Sequence, residues 1–178
     1  TMRQEEPFDS AGAILDRIIE NYTIADEGML PICQDTGMVC VFVELGQEVH
    51  ITGGALEDAI HEGVRQGYRE GFLRKSVVKD PLDRVNTGDN TPASISYTVV
   101  PGDHLKITVA PKGFGSENMS RLKMLKPSEG LDGIIAFILE TVTLAGSNPC
   151  PPIIVGVGIG GTFDRVAGMD KKALMRPL

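Results

Sequence analysis

Two cysteines stand where a packed core has no use for them. Cys33 lies in Leu30-Pro31-Ile32-Cys33-Gln34-Asp35-Thr36-Gly37, and Cys150 lies in Asn148-Pro149-Cys150-Pro151-Pro152. Proline fixes its backbone and removes a donor, and the residues around it favour rigid exposed turns over helix. A thiol in such a setting is presented rather than packed. Beside Cys33 sit an amide, Gln34, and a carboxylate, Asp35, the kinds of group that hold a small polar substrate and move its proton. The pattern reads as a metal-bound thiolate placed beside an acid/base group.

Cys40 is of another kind. It falls within Met38-Val39-Cys40-Val41-Phe42-Val43, a short apolar run rich in β-branched residues, which reads as a buried strand. In such a strand a free cysteine behaves as a small hydrophobe. An odd number of thiols, with no paired-cysteine framework and no signal-peptide pattern, predicts a reducing, cytoplasmic compartment and no disulfide.

Cys33 and Cys150 are separated by most of the chain, which excludes the close-set spacing of a zinc finger, so the fold must assemble any site they share. Each precedes a predicted strand, Val39 to Glu44 or Ile153 to Val157, and the two loops are expected at one sheet edge. Soft thiolate ligands favour zinc or an iron–sulfur cluster over hard cations. Two cysteines are too few for a closed cluster. A further ligand must come from outside this chain or from substrate.

Four other segments carry chemistry. In Leu73-Arg74-Lys75-Ser76 the guanidinium is a planar fork matched to a carboxylate, with a pair of solvated surface cations as the alternative. Asn86-Thr87-Gly88-Asp89-Asn90-Thr91-Pro92-Ala93 is dense in side chains that bond their own backbone. Pro111-Lys112-Gly113-Phe114-Gly115-Ser116-Glu117-Asn118 lacks the spacing of a nucleotide loop, and fits capture of a carboxylate by Lys112 and backbone N–H groups. Val155-Gly156-Val157-Gly158-Ile159-Gly160-Gly161-Thr162 reads either as a nucleotide loop or, preferably, as close packing of strand on helix. His50, His61 and His104 sit in no ligand or catalytic context.

Positioning these groups requires a framework of helices and strands. An amphipathic helix is predicted from Ala11 to about Ala25, capped by Asp9 or Ser10 and carrying Ile14, Ile18 and Ile19 on one face. A second follows Gly53-Gly54, with Leu56, Ile60, Val64 and Tyr68 recurring every four residues. Two hairpins are expected, Met38–Glu44 with Glu48–Ile51 and Ser94–Val100 with His104–Ala110, the latter turning at Pro101-Gly102-Asp103. A helix begins at Pro127-Ser128-Glu129 and reaches Leu144, and another starts near Thr162. The fold class predicted is α/β (mixed α+β): one domain, residues 11–178, with a mixed sheet and hairpins flanked by helices, after a disordered or tag-like segment at 1–10. Both ends read as incomplete.

The composition narrows the partners. With 17 basic and 24 acidic side chains the formal charge is −7, which argues against a nucleic-acid or anionic-membrane partner. No apolar run is long enough to cross a bilayer. The excess of glycine and proline, 21 and 11, without low-complexity tracts, points to tight turns that bring backbone close to a ligand.

Ile32-Cys33-Gln34-Asp35-Thr36-Gly37, Leu73-Arg74-Lys75-Ser76, Asn86 to Ala93, Lys112 to Asn118, Cys150-Pro151-Pro152 and Ile159-Gly160-Gly161-Thr162, in that order, resemble the iron–sulfur hydro-lyase family of class I fumarases and L-tartrate dehydratases. The likeness is to its α subunit or amino-terminal domain and runs from Ala11 onward. The resemblance implies a [4Fe–4S] cluster held by three cysteines with one iron open to substrate, Cys33 and Cys150 being two of the ligands. It implies that Gln34 and Asp35 contact substrate, Asp35 also in proton transfer, that Arg74 clamps a carboxylate, and that backbone near Gly115 binds another oxygen. The family's third cysteine would follow Leu178 and is absent here, and Cys40 does not align with it. Further arginines and the base would come from a β subunit or carboxyl-terminal domain. The expected activity is reversible hydration of fumarate to malate by a homo- or hetero-oligomer, with the isolated chain silent. The alternatives are an L-tartrate dehydratase subunit and an inactive scaffold that depends on a partner.

Overall fold

The computed structural model describes residues 2–177; Thr1 and Leu178, the outer ends of the predicted 1–10 and 11–178 segments, lie outside the described residues. The chain divides into two compact units, residues 1–34 and 35–178.

The first unit is helical. A single turn, α1 (Met2–Glu5), precedes α2 (Asp9–Gly28), and Arg3 Nε donates to Asp16 Oδ1 at 2.7 Å across them. Helix α2 begins at Asp9, with Phe8 in the cap position and no capping side chain, so neither Asp9 nor Ser10 serves as the expected cap. At its far end Met29 turns left-handed, and Leu30 N donates to Ala25 O at 2.9 Å, closing the helix as a glycine would. The loop beyond is tied back by Asn21 Nδ2, which donates to Ile32 O at 3.2 Å.

The second unit is built on a three-stranded mixed sheet of β1 (Met38–Gly46), β2 (Ser94–Val100) and β3 (Leu105–Lys112), in the order β2-β1-β3. β1 pairs parallel with β2 and antiparallel with β3, so that Cys40 faces Ser94 on one side and Ala110 on the other. The mixed α/β class is the observed one, but neither predicted hairpin forms. Residues 48–51 make no strand, and β2 and β3 are separated by β1 instead of pairing across their short turn. The cause lies in β1. It is apolar on both faces, and a strand of that kind belongs in the middle of a sheet, whereas β2 and β3 expose most of their residues and tolerate the edges. The turn between them crosses the end of β1, where Gly46 N donates to His104 O and Gln47 N to Val100 O, both at 2.9 Å.

Helix α3 (Leu56–Glu70) lies on one face. Its four-residue stripe is observed: Val64 and Tyr68 are buried against Val39, Val41, Val43 and Ala93, with Leu56 and Ile60 packed alongside. The opposite face carries Cys40, Phe42 and Glu44. There α6 (Phe163–Ala173) brings Lys171 close to Cys40, and Lys172 Nζ lies 3.5 Å from Glu44 Oε1. Between these elements run the one-turn α4 (Phe114–Glu117), a 3-10 turn at Pro127–Glu129 and α5 (Gly130–Ala145). The expected strand Ile153–Val157 is not formed. Among the described residues no strand neighbours it, and its backbone instead lies against α6, Gly156 facing Asp170 O and Gly158 facing Val166 O. That agrees with the close-packing reading of the glycine-rich run. No helix among the described residues is long and apolar enough to cross a membrane.

Candidate functional site

The antiparallel register sets Met38, at the start of β1, opposite Lys112, at the end of β3. This end of the sheet collects the candidate residues of the second unit. Gly37 is the junction. Its φ is +64°, and a Cβ there would overlap Lys112 O and stand 2.7 Å from Gly113 Cα. Real Cβ contacts do not come that close, so only glycine lets the chain enter β1 here.

On one side of the junction is a charge pair. Arg74 Nη1 donates to Asp35 Oδ2 at 2.8 Å, and Ser76 Oγ donates to Asp35 Oδ1 at 3.2 Å. The Arg74 and Asp35 side chains are 63% and 41% exposed. An ion pair so open to water contributes about 0–1 kcal/mol to stability, so the fold does not depend on it. What it offers is an oriented carboxylate and a guanidinium that faces solvent.

The two loops carrying this pair are joined from beneath. Asn90 is completely buried. Its Oδ1 accepts from Ser76 N at 2.7 Å and from Val77 N at 3.0 Å, while its Nδ2 donates to Gly37 O at 2.9 Å. The Tyr68 hydroxyl also donates to Gly37 O, at 3.4 Å, and shares a 2.6 Å hydrogen bond with Thr36 Oγ1. Burial pushes the Tyr68 phenol up, the bonds to Thr36 and Asn90 only partly opposing it. Nearby, Asn86 Nδ2 donates to Lys75 O at 2.9 Å. Asp89 accepts from Thr91 N, Thr91 Oγ1 and Arg65 Nε at 3.0, 2.8 and 3.0 Å. The two Thr91 bonds, then that to Arg65, hold its carboxyl far below the usual carboxylate range. Sequence reasoning took Asn86 to Ala93 for turn residues bonding their own backbone. It missed that Asn86 and Asn90 reach across to the Arg74 loop.

On the other side of the junction, Lys112 Nζ donates to Ser116 Oγ at 2.5 Å and lies 3.7 Å from Glu117 Oε2. Its side chain is only 18% exposed, and its ammonium is directed at α4. Lys171 of α6 meets Glu117 Oε1 at 2.6 Å. Burial lowers the proton affinity of Lys171, but the hydrogen bond and charge of Glu117, with Cys40 and Asp170, outweigh it and leave the group raised. Gly115 sits in α4 so near the Cys150 loop that a Cβ would meet Asn148 O at 2.8 Å.

Cys150 is exposed and has φ +58°, a left-handed backbone that costs a non-glycine residue about 1 kcal/mol or more. Such a position ordinarily favours glycine or asparagine. The backbone there holds the thiol at the surface. Cys33 is likewise exposed, and with Gln34 it ends the first unit, while Asp35 opens the second. Cys40 is buried within the sheet, and burial pushes its thiol up. Among the described residues no group of three or more His, Cys, Asp or Glu is placed to hold a metal ion. Each exposed loop thiol has, by itself, the chemistry of a soft-metal ligand.

The family description fumarate hydratase (fumerase) matches residues 1–178. A protein of Methanocaldococcus jannaschii, provisionally named an L(+)-tartrate dehydratase subunit alpha, is 46% identical over 98% of this chain and 63% of its own length. Proteins named L(+)-tartrate dehydratase subunit alpha are 32% identical in Escherichia coli UTI89 and 31% identical in the K12 strain, each over 99% of this chain and 59% of its own length. The chain thus spans about three-fifths of the length of these relatives.

Proposed function

The chain belongs to the fumarate hydratase (fumerase) family, and from that premise we propose that it is the α-type part of a hydro-lyase which adds water reversibly to fumarate, giving malate, at an open iron–sulfur cluster. The observation that carries the reading is the exposed Asp35–Arg74–Ser76 constellation at the start of β1, beside a Gly115 loop that touches the loop of Cys150. A C4 dicarboxylate needs a fork for one carboxylate, a group to move a proton and N–H donors for further oxygens. Arg74 supplies the fork. In this pair it uses Nη1 on Asp35, and its solvent-facing edge receives the substrate carboxylate as a two-pronged donor. Asp35, oriented by Arg74 and Ser76, takes part in proton transfer. Gln34 and the Gly115 backbone bind the remaining oxygens. Lys112 acts on substrate through the same loop, its ammonium shared with Ser116.

Cys33 and Cys150 would hold a [4Fe–4S] cluster, with the third cysteine contributed from outside this chain. Such a cluster supplies a Lewis-acidic iron for a substrate hydroxyl. Holding both ends of the substrate is the task of this chain's residues, and fixed geometry is worth several orders of magnitude in rate. A β-type subunit or carboxyl-terminal domain completes the site, in a homo- or hetero-oligomer of the cytoplasm, and the 178-residue chain alone is silent. The names of the relatives favour a second reading, L(+)-tartrate dehydration by the same machinery.

The deciding experiment takes the complete polypeptide that carries this chain, with its partner, reconstitutes it anaerobically with iron and sulfide, and assays fumarate and L(+)-tartrate in parallel. Faster turnover of fumarate supports the first reading and faster turnover of tartrate the second. A cluster-loaded complex inert toward both overturns the hydro-lyase proposal and favours a scaffold.

A further inference from the structure

Asn90 carries a load that its place in a turn motif conceals. Of its three hydrogen bonds to backbone, two are accepted from Ser76 N and Val77 N and one is donated to Gly37 O. Ser76 and Gly37 each stand two residues beyond a member of the exposed pair, Arg74 and Asp35. One amide, with no exposed surface, therefore fixes both loops at equal remove from the atoms that meet at 2.8 Å. Its φ of +62° is a conformation asparagine tolerates better than most residues. Together the three contacts need an acceptor and a donor on one short side chain, which the asparagine amide supplies. Tyr68 gives the same carbonyl of Gly37 a second, longer donor.

We propose that Asn90 is a positioning residue, setting the spacing and orientation of Asp35 and Arg74, with the Tyr68 hydroxyl as a second support on the Asp35 side. The inference deepens the hydro-lyase reading and rests on it only for the reaction in which the pair acts.

The test uses the complete enzyme. Asn90→Asp keeps the shape and both accepted bonds but sets an oxygen against Gly37 O. In the folded, cluster-loaded fraction it is expected to lower kcat/KM about 10- to 100-fold, the size that a misplacement near 1 Å produces. Combined with Arg74→Lys, it should add little to the loss caused by either change alone, because both act through one pair. Losses that multiply would overturn the proposal, since a purely structural residue destabilises independently of Arg74. The crystal structure of Asn90→Asp should show the 2.8 Å contact opened beyond hydrogen-bond distance with the sheet register unchanged; an intact contact would overturn the proposal too. Should Asn90→Asp not fold, Tyr68→Phe reads the same claim, with a loss of about threefold to tenfold that does not multiply with that of Asp35→Asn. If the wild-type complex turns over neither dicarboxylate, the hydro-lyase reading fails while the measured Asp35–Arg74 distance in these variants still decides the role of Asn90.

Discussion

The two sides of the Gly37 junction are held in opposite ways. Beneath Asp35 and Arg74 the ties that reach their two loops are neutral: the buried amide of Asn90, the amide of Asn86 and the phenol of Tyr68. Around Lys112 and Gly115 they are ionic, running from Lys112 through Glu117 to Lys171 at 3.7 and 2.6 Å. A neutral hydrogen bond works only within a narrow range of distance and angle, and leaving it unmade when buried is costly. A charge pair acts over a longer range and tolerates imprecise geometry, but salt weakens it. The first arrangement suits groups whose orientation matters. The second suits a tether between α4 and α6.

Gly37 touches both sides, and replacing it should have the largest effect. Gly37→Ala combines a left-handed backbone with a contact against Lys112 O, and is expected to cost about 2–4 kcal/mol, from strain plus overpacking. Urea unfolding checks this. A loss under 1 kcal/mol would show that the loop relaxes and that the two sides are not joined there.

Asp35→Asn leaves the framework intact, because the pair it enters is exposed. Turnover by the complete enzyme should fall about a hundredfold or more, the size of a lost positioned acid or base. Iron content and cluster absorbance measured alongside separate two outcomes. A variant that loses its cluster with its activity would assign Asp35 to loop architecture, and an intact cluster with near-native turnover would remove it from both roles. Arg74→Lys replaces a fork by a point charge, and should chiefly raise KM, by about tenfold, with a smaller change in kcat. A fall in kcat alone would mean that Arg74 serves Asp35 and does not grip substrate.

The framework was legible wherever periodicity spoke for burial. The four-residue stripe of Leu56, Ile60, Val64 and Tyr68 placed α3 on the core, and the unbroken apolar run from Met38 to Val43 identified the buried strand that holds Cys40. Strand pairing was not legible, because the short turn at Pro101-Gly102-Asp103 suits a hairpin and nothing local announces that β1 will come between β2 and β3. Ile153 to Val157 misled for a related reason: apolar residues mark a tendency to be covered, and a strand also needs a neighbour. In the candidate site, the prolines around Cys33 and Cys150 correctly announced exposed loops. Asn90 was hidden. An asparagine between Asp89 and Thr91 looks like any turn residue, and only the converging loops of Gly37 and Ser76 turn it into a buried hub.

The smallest expected effect falls on the ionic side and tests whether that side is ionic at all. Lys171 and Glu117 are about one-third exposed, 31% and 30%, so Lys171→Met should cost about 1 kcal/mol at neutral pH and low salt. The pH dependence has a definite sign. Lys171 binds its proton more tightly in the folded state, where Glu117 outweighs the burial that works against it. Its contribution is therefore fully present below the unfolded value of about 10.4 and is lost as pH rises through the folded one. Wild type and Lys171→Met should differ by a constant amount from neutral pH up to about pH 10 and converge above it. Added salt should narrow the gap at every pH. Urea melts of both proteins, in low and high salt and on either side of that pH, measure all of this. A gap that ignores both salt and pH would mean that Lys171 works through its hydrocarbon stem against the sheet beside Cys40. Charge would then hold neither side of the junction, and the contrast between the two sides would fall.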